Sequence, residues 1–148
     1  MKLGHDEFSA DGGDRAFPVL IIDDDEADRE LTIRHLGKAW PFEHEMIADH
    51  ATNGDEALNK MRATHYALAV LDWRLPDMDG GDLLRAMRRK RILTPVIVIS
   101  GMRREHIAEN IAAFGAAFLR KDDINSVALR DAIATALRGL GTDRALAA

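Results

Sequence analysis

Five short apolar runs alternate with five amphipathic segments along this chain, and that alternation constrains its fold more than any other feature. The runs are Val19–Asp23, Glu45–Ala51, Ala67–Asp72, Pro95–Ser100 and Ala116–Arg120. The first, third and fourth are continuous rather than alternating, as expected for strands covered on both faces. The run at 45–51 is the weakest pattern.

The intervening segments carry helix signals. Asp25, with Asp28 three residues later, reads as an N-cap before Leu31, Ile33 and Leu36. Asn53-Gly54-Asp55-Glu56 reads as a capping-box start. Gly80-Gly81-Asp82 opens a third helix, and Arg103 to Phe114 makes a fourth. Leu129, Ile133, Leu137 and Leu140 give a fifth at helical spacing. Trp40, before Pro41, closes the first helix.

Five βα units predict an α/β fold, a doubly wound parallel sheet, because parallel strands need crossovers that cover the sheet. Periodicity does not give the strand order. With 148 residues the chain suits one domain. Residues 1–16 read as a flexible arm, 17–140 as the domain and 141–148 as a flexible tail.

A net charge of −5 argues against nucleic acid as the main partner. The absence of cysteine excludes disulfides and thiolate metal sites. No stretch is long enough to span a bilayer, and the N-terminus lacks a signal-peptide core, so the expectation is a soluble, cytoplasmic protein. The six histidines have no metal-motif spacing. Arg85, Arg88, Arg89, Lys90 and Arg91 form a basic cluster that suits the carboxyl end of a helix.

In open α/β sheets, ligands bind beyond the carboxyl ends of the strands. Asp23, Asp24, Asp72, Ser100 and Lys121 all fall at such ends. Clustered carboxylates repel one another, by about 4 kcal/mol per pair at ~4 Å and an effective dielectric near 20 before screening. Either one stays protonated or a cation joins them. All-oxygen donors favour a hard ion, Mg²⁺ or Mn²⁺. A metal, a lysine and a small hydroxyl around one carboxylate suit phosphoryl transfer to that carboxylate.

Four segments in order, Val19-Leu20-Ile21-Ile22-Asp23-Asp24-Asp25, Val70-Leu71-Asp72 through Pro76-Asp77-Met78-Asp79-Gly80, Val96-Ile97-Val98-Ile99-Ser100-Gly101 and Phe118-Leu119-Arg120-Lys121, closely resemble the receiver domain of two-component response regulators, of the stand-alone chemotaxis-regulator kind. The resemblance covers roughly residues 17–140. It implies a flavodoxin-like sheet of order 2-1-3-4-5. It implies Asp72 as phosphoacceptor, with Asp24, Asp72 and the Arg74 backbone carbonyl as Mg²⁺ ligands and Asp23 acting through metal-bound water. Ser100 and Lys121 match the groups that bind the phosphoryl group, and Phe118 matches the aromatic switch position. Implied partners are a histidine kinase or histidine phosphotransfer protein and a downstream protein, with no nucleic acid and no membrane. The catalysis implied is self-phosphorylation and autodephosphorylation, with no separate substrate.

The chain departs from the family pattern at several places. Asp122 replaces the usual proline after the lysine, which predicts a trans Lys121–Asp122 bond. Asp122 and Asp123 are expected to cap the last helix. Gly101 replaces the commoner alanine and should leave room beside the phosphoryl group. Arg74, Gly101 and Met102 occupy positions that the resemblance links to phosphoryl lifetime. Arg74 is expected to shield the phosphoryl group, so Arg74→Ala should change aspartyl-phosphate lifetime; an unchanged decay rate would refute this.

Blander roles compete at some positions: Asp25, Asp77 and Asp79 as caps or turn residues, Phe118 as core, and Trp73 as packing or partner surface. No output domain follows the last helix, so the expected form is a stand-alone switch or phosphorelay intermediate, monomeric or weakly dimeric. An excised domain of a longer protein is the alternative. The expected partner face comprises the fourth helix, fifth strand and fifth helix (Arg103, Arg104, Glu105, Glu109, Asn110, Arg130, Asp131 and Arg138). Two rival functions stay open: a pseudo-receiver binding without phosphorylation, and an aspartate-nucleophile Mg²⁺ phosphohydrolase.

Overall fold

The computed structural model describes residues 16–101 and 108–147. Its strands are β1 (Ala16–Ile22), β2 (Glu45–Ala51), β3 (Leu68–Asp72), β4 (Val96–Ser100) and β5 (Ala117–Arg120). Its helices are α1 (Glu26–Ala39), α2 (Gly54–Ala63), α3 (Gly80–Arg89), α4 (Ala108–Ala113) and α5 (Ser126–Ala147), with a 3₁₀ turn at Lys121–Asp123. All strands pair in parallel, in the order β2-β1-β3-β4-β5, which is the flavodoxin-like arrangement.

The continuous apolar runs are explained by two cores, one on each face of the sheet. Leu20, Ile22, Ala69, Leu71, Val96 and Val98 point to one face, where Leu58, Met61, Leu83, Leu84 and Met87 of α2 and α3 cover them. Val19, Ile21, Leu68, Val70, Ile97 and Ile99 point to the other, under Leu36 of α1 and Leu129, Ile133 and Ala136 of α5. Successive residues of the central strands, at 19–22, 68–71 and 96–100, are therefore buried. The weak pattern of 45–51 has the same cause: β2 is an edge strand, and its Ile47 is 51% exposed.

Several boundaries differ from the sequence reading. β1 begins at Ala16, a residue assigned to the arm, because it pairs with Glu45 of β2. Residues 141–147, expected as a tail, continue α5. Leu137 is 40% exposed and lies on the rim of an apolar cluster of Phe17, Trp40 and Phe42 instead of in the core. Arg103 to Ile107 of the expected fourth helix lie outside the described residues, as do residues 1–15. The side chain of Leu140 is also outside them.

The caps refine the same picture. Asp25 accepts from the Asp28 amide at 3.0 Å, as expected. Asn53 accepts from the Glu56 amide at 2.7 Å, but the box does not close on itself. Glu56 reaches one residue further back, to the amide and hydroxyl of Thr52. Asp79 and Asp82 form a reciprocal capping box at α3. Asp77, also expected as a turn acid, accepts from the amides of Gly54 and Asp55 at 2.8 and 3.0 Å and so ties the β3–α3 loop to the start of α2. Trp40 closes α1, and its indole N–H donates to the His44 carbonyl.

Trp73 is 9% exposed and packs where α3 starts. A methyl group on Gly80 would sit 2.6 Å from Trp73 Cε3 and 3.3 Å from its backbone Cα. Gly80→Ala is therefore expected to destabilise the fold by about 1–3 kcal/mol in urea denaturation, because neither the ring nor the backbone can withdraw. Among the described residues, no helix is long and apolar enough to cross a membrane.

Candidate functional site

The parallel sheet carries the carboxyl ends of its strands to one rim. Asp23 and Asp24 follow β1, Asp72 ends β3, Ser100 ends β4, and Lys121 follows β5. Oxygen atoms of Asp23, Asp24 and Asp72 all lie within 4.8 Å of one another. Asp23 and Ser100 are buried, Asp72 is half-buried, and Asp24 is exposed. Lys121 Nζ lies 3.8 Å from Asp72 Oδ2. Asp72, Arg74, Ser100, Gly101 and Lys121 line one cleft of about 330 Å³.

Local hydrogen bonds fix the acids. The Asp25 amide donates to Asp23 Oδ1 at 2.9 Å, and the Arg29 guanidinium donates to the Asp23 carbonyl at 2.8 Å. The Arg74 amide donates to Asp72 Oδ1 at 3.3 Å. Backbone bridging of Arg74 to Asp79 holds the turn that follows.

Burial pushes the Asp23 carboxyl up to about 6, with the Asp72 charge adding to it against the Asp25 amide. Burial also raises Asp72, against the pull of Lys121. For Lys121, burial works downward, but the charges of Asp72, Asp28 and Asp23 and the Asp28 hydrogen bond outweigh it and raise its pKa.

These features test the fit to a hard divalent ion. An octahedral Mg²⁺ with ligands at about 2.1 Å places neighbouring oxygens about 3 Å apart and opposite ones about 4.2 Å apart. Carboxylate oxygens within 4.8 Å need only small side-chain rotations to reach that spacing. The donor set is all oxygen, and three carboxylates gathered beside one lysine leave negative charge for a cation to neutralise. The residues fit the ion.

Other expected site residues are placed differently. Phe118 is half-buried on β5 and packs against the core on the α2–α3 face. Gly101 is exposed, and a Cβ there would meet nothing within 4 Å, in keeping with room beside the cleft. Met102 lies outside the described residues. Arg74 is exposed at the cleft mouth. The Lys121–Asp122 peptide is trans, as no cis bond occurs among the described residues. Capping of α5 falls to Asn125, which accepts from the Ala128 amide at 2.8 Å. That corrects the role expected of Asp122 and Asp123: they sit in the 3₁₀ turn, and Asp122 lies 3.6 Å from Arg120.

Asp28 is the residue that sequence reasoning missed as part of the site. Its carboxylate accepts from Lys121 Nζ at 3.3 Å, closer than Asp72. The Asp25–Asp28 spacing signalled a helix start but gave no sign of a partner 93 residues away. Asp28 thus holds the lysine that the cleft would need for an incoming anion. Asp28→Asn is expected to tighten beryllium fluoride binding several-fold, read from Trp73 fluorescence at low salt, since a half-exposed pair is worth up to about 1 kcal/mol.

Comparison with known proteins gives the same picture. The chain is 37% identical over 87 residues to the protein-glutamate methylesterase/protein-glutamine glutaminase of Treponema denticola, which covers 59% of this chain and 23% of that protein. It is 37% identical over 84 residues to the cell cycle transcriptional regulator CtrA of Caulobacter vibrioides, covering 56% and 34%. The chain thus spans about a quarter to a third of the curated relatives it matches. The CheY-like response regulator receiver domain protein of Methanospirillum hungatei superposes with a TM-score of 0.68 at 26% identity, over 86% of this chain and 98% of that one. The model of the response regulator receiver domain matches residues 19–134. With that match spanning most of the sequence, and with acids, hydroxyl and lysine gathered at one rim of a 2-1-3-4-5 sheet, the chain belongs to the response regulator receiver domain family.

Proposed function

We propose that Asp72 accepts a phosphoryl group from a phosphohistidine of a histidine kinase or phosphotransfer protein, and that its modification switches the binding of a downstream partner. The observation that carries this reading is the Asp72 carboxylate, half-buried between two further acids and Lys121 on a cleft open to solvent.

In the reaction, an Asp72 carboxylate oxygen attacks phosphorus, the P–N bond to the donor imidazole breaks, and the departing ring nitrogen takes a proton. Asp24, Asp72, the Arg74 carbonyl and, through water, Asp23 would hold Mg²⁺ or Mn²⁺. Bound there, the ion neutralises charge on the transferring group and the acids around it. Lys121 leaves Asp28 and Asp72 to pair with a phosphoryl oxygen, as a compact ammonium on a flexible stem can. Ser100, fixed at the end of β4, donates its hydroxyl to another oxygen. On activation Phe118, packed against the core from β5, turns inward and alters the α4–β5–α5 face.

Hydrolysis returns the carboxylate when water attacks the same phosphorus. Arg74 at the cleft mouth restricts that water's approach. The test is phosphotransfer from a radiolabelled kinase or a small phosphodonor with Mg²⁺, with formation of a base-labile acyl phosphate on Asp72. Absence of the acyl phosphate under every donor, together with no Trp73 fluorescence response to beryllium fluoride, would overturn the proposal in favour of a phosphorylation-independent binding module.

A further inference from the structure

We propose that the opposite end of the sheet carries a docking groove for an acidic, leucine-containing peptide segment of a partner protein. The groove lies at the amino ends of β3 and β4, between the carboxyl ends of α2 and α3, and holds about 630 Å³. Asp72 lies at the other end of β3, about 17 Å away along a five-residue strand. The groove is therefore separate from the site described above.

Its lining is one-sided in charge. Arg62, His65, Lys90 and Arg91 surround it and no acidic residue lines it, although the chain carries a net charge of −5. Arg62, Lys90 and Arg91 form no ion pair among the described residues. Helix carboxyl ends attract cations, and that accounts for the charges taken singly. It does not account for the apolar floor between them, formed by Met61, Leu93 and Pro95, where Leu93 is 44% exposed.

The cationic rim is held in place. The Ile92 amide donates to the Met87 carbonyl at 2.9 Å, and Arg91 takes a left-handed backbone (φ 61°). The Arg88 guanidinium donates to the carbonyls of Ile92 at 2.7 Å and Phe114 at 3.0 Å. The backbone of Lys90 and Arg91 is thus locked by main-chain and side-chain bonds, which fixes the positions from which their exposed side chains extend.

Charge complementarity selects a polyanion, and the floor selects which one. A nucleic-acid backbone offers phosphates but no apolar side chain for Leu93, and an acidic protein disfavours an extended duplex. A peptide of glutamates interrupted by leucines satisfies rim and floor together.

The probe is such a peptide, fluorescein-labelled, titrated with the full chain by fluorescence anisotropy, beside an all-glutamate peptide and a labelled DNA duplex. The expected result is saturable binding of the leucine-containing peptide that weakens with salt. Its Kd should rise about tenfold or more in Arg62→Glu/Lys90→Glu. Leu93→Ser should weaken the leucine-containing peptide and leave the all-glutamate peptide unchanged. No saturable binding, an unchanged Kd in both variants, or tighter binding of the duplex would overturn the proposal. The measurement needs neither Mg²⁺ nor phosphodonor, so its outcome is independent of phosphorylation at Asp72.

Discussion

Asp72→Asn is expected to abolish phosphoryl acceptance while leaving the fold intact. The amide has the shape of the carboxylate but lacks the anionic oxygen that attacks phosphorus, so the loss should be complete within detection. It also removes one of the three acids within 4.8 Å of one another and so weakens the proposed ion site. Two measurements check this together. Phosphotransfer from a labelled donor should give no acyl phosphate, and Trp73 fluorescence should no longer respond to beryllium fluoride. The fold should survive because burial raises the Asp72 pKa, so a neutral group is tolerated there without cost. A Tm equal to or above that of the parent protein separates lost chemistry from lost structure. Retained labelling would place the acceptor elsewhere.

The second large effect is on stability. Asp23 is 6% exposed, and its pKa in the fold is raised from 3.8 to about 6. The folded state therefore binds the proton more tightly than the unfolded chain does. That contribution is fully present below pH 3.8 and is lost as pH rises through about 6. The difference of roughly 2 pKa units corresponds to about 3 kcal/mol. Without a divalent ion, the parent protein should lose stability across that window, and Asp23→Asn should not.

At pH 7.5 the variant is expected to be more stable by about 2–3 kcal/mol in chemical denaturation, with the Asp25 amide still able to donate to the asparagine oxygen. Mg²⁺ should restore stability to the parent protein by preferential binding to the folded state. It should restore much less to the variant, which has one acid fewer. Equal midpoints for the two proteins at pH 7.5 without ions would show that Asp23 is not held charged against its burial.

The central strands were legible because their environment writes itself directly into sequence. A stretch covered on both faces must be apolar at every position, and residues 19–22, 68–71 and 96–99 of β1, β3 and β4 are. β2 was faint because an edge strand with solvent on part of its surface has less to bury. Helix starts were readable where the cap is local, as at Asp25 and Asn53. They were misread where several acids compete for one role. Asn125 caps α5 because its position relative to the 3₁₀ turn puts its oxygen on the Ala128 amide, whereas Asp122 and Asp123 stand inside that turn. Leu137 fits the helical period of α5, yet it emerges at the rim of the sheet, where nothing among the described residues covers it fully.

A parallel α/β sheet with acids, a hydroxyl and a lysine at strand ends is readable from the residues alone, because those features depend on neighbours along the chain. Which groups share the lysine is not, since that depends on how the strands are ordered in space. Asp28 and Lys121 are 93 residues apart and meet because β1 and β5, with β3 and β4 between them, end at the same rim. Only the fold, likewise, brought Arg62 beside Lys90 across an apolar floor. Short-range order follows from local periodicity and capping, whereas the electrostatics of a cleft depend on distances that chain topology alone sets.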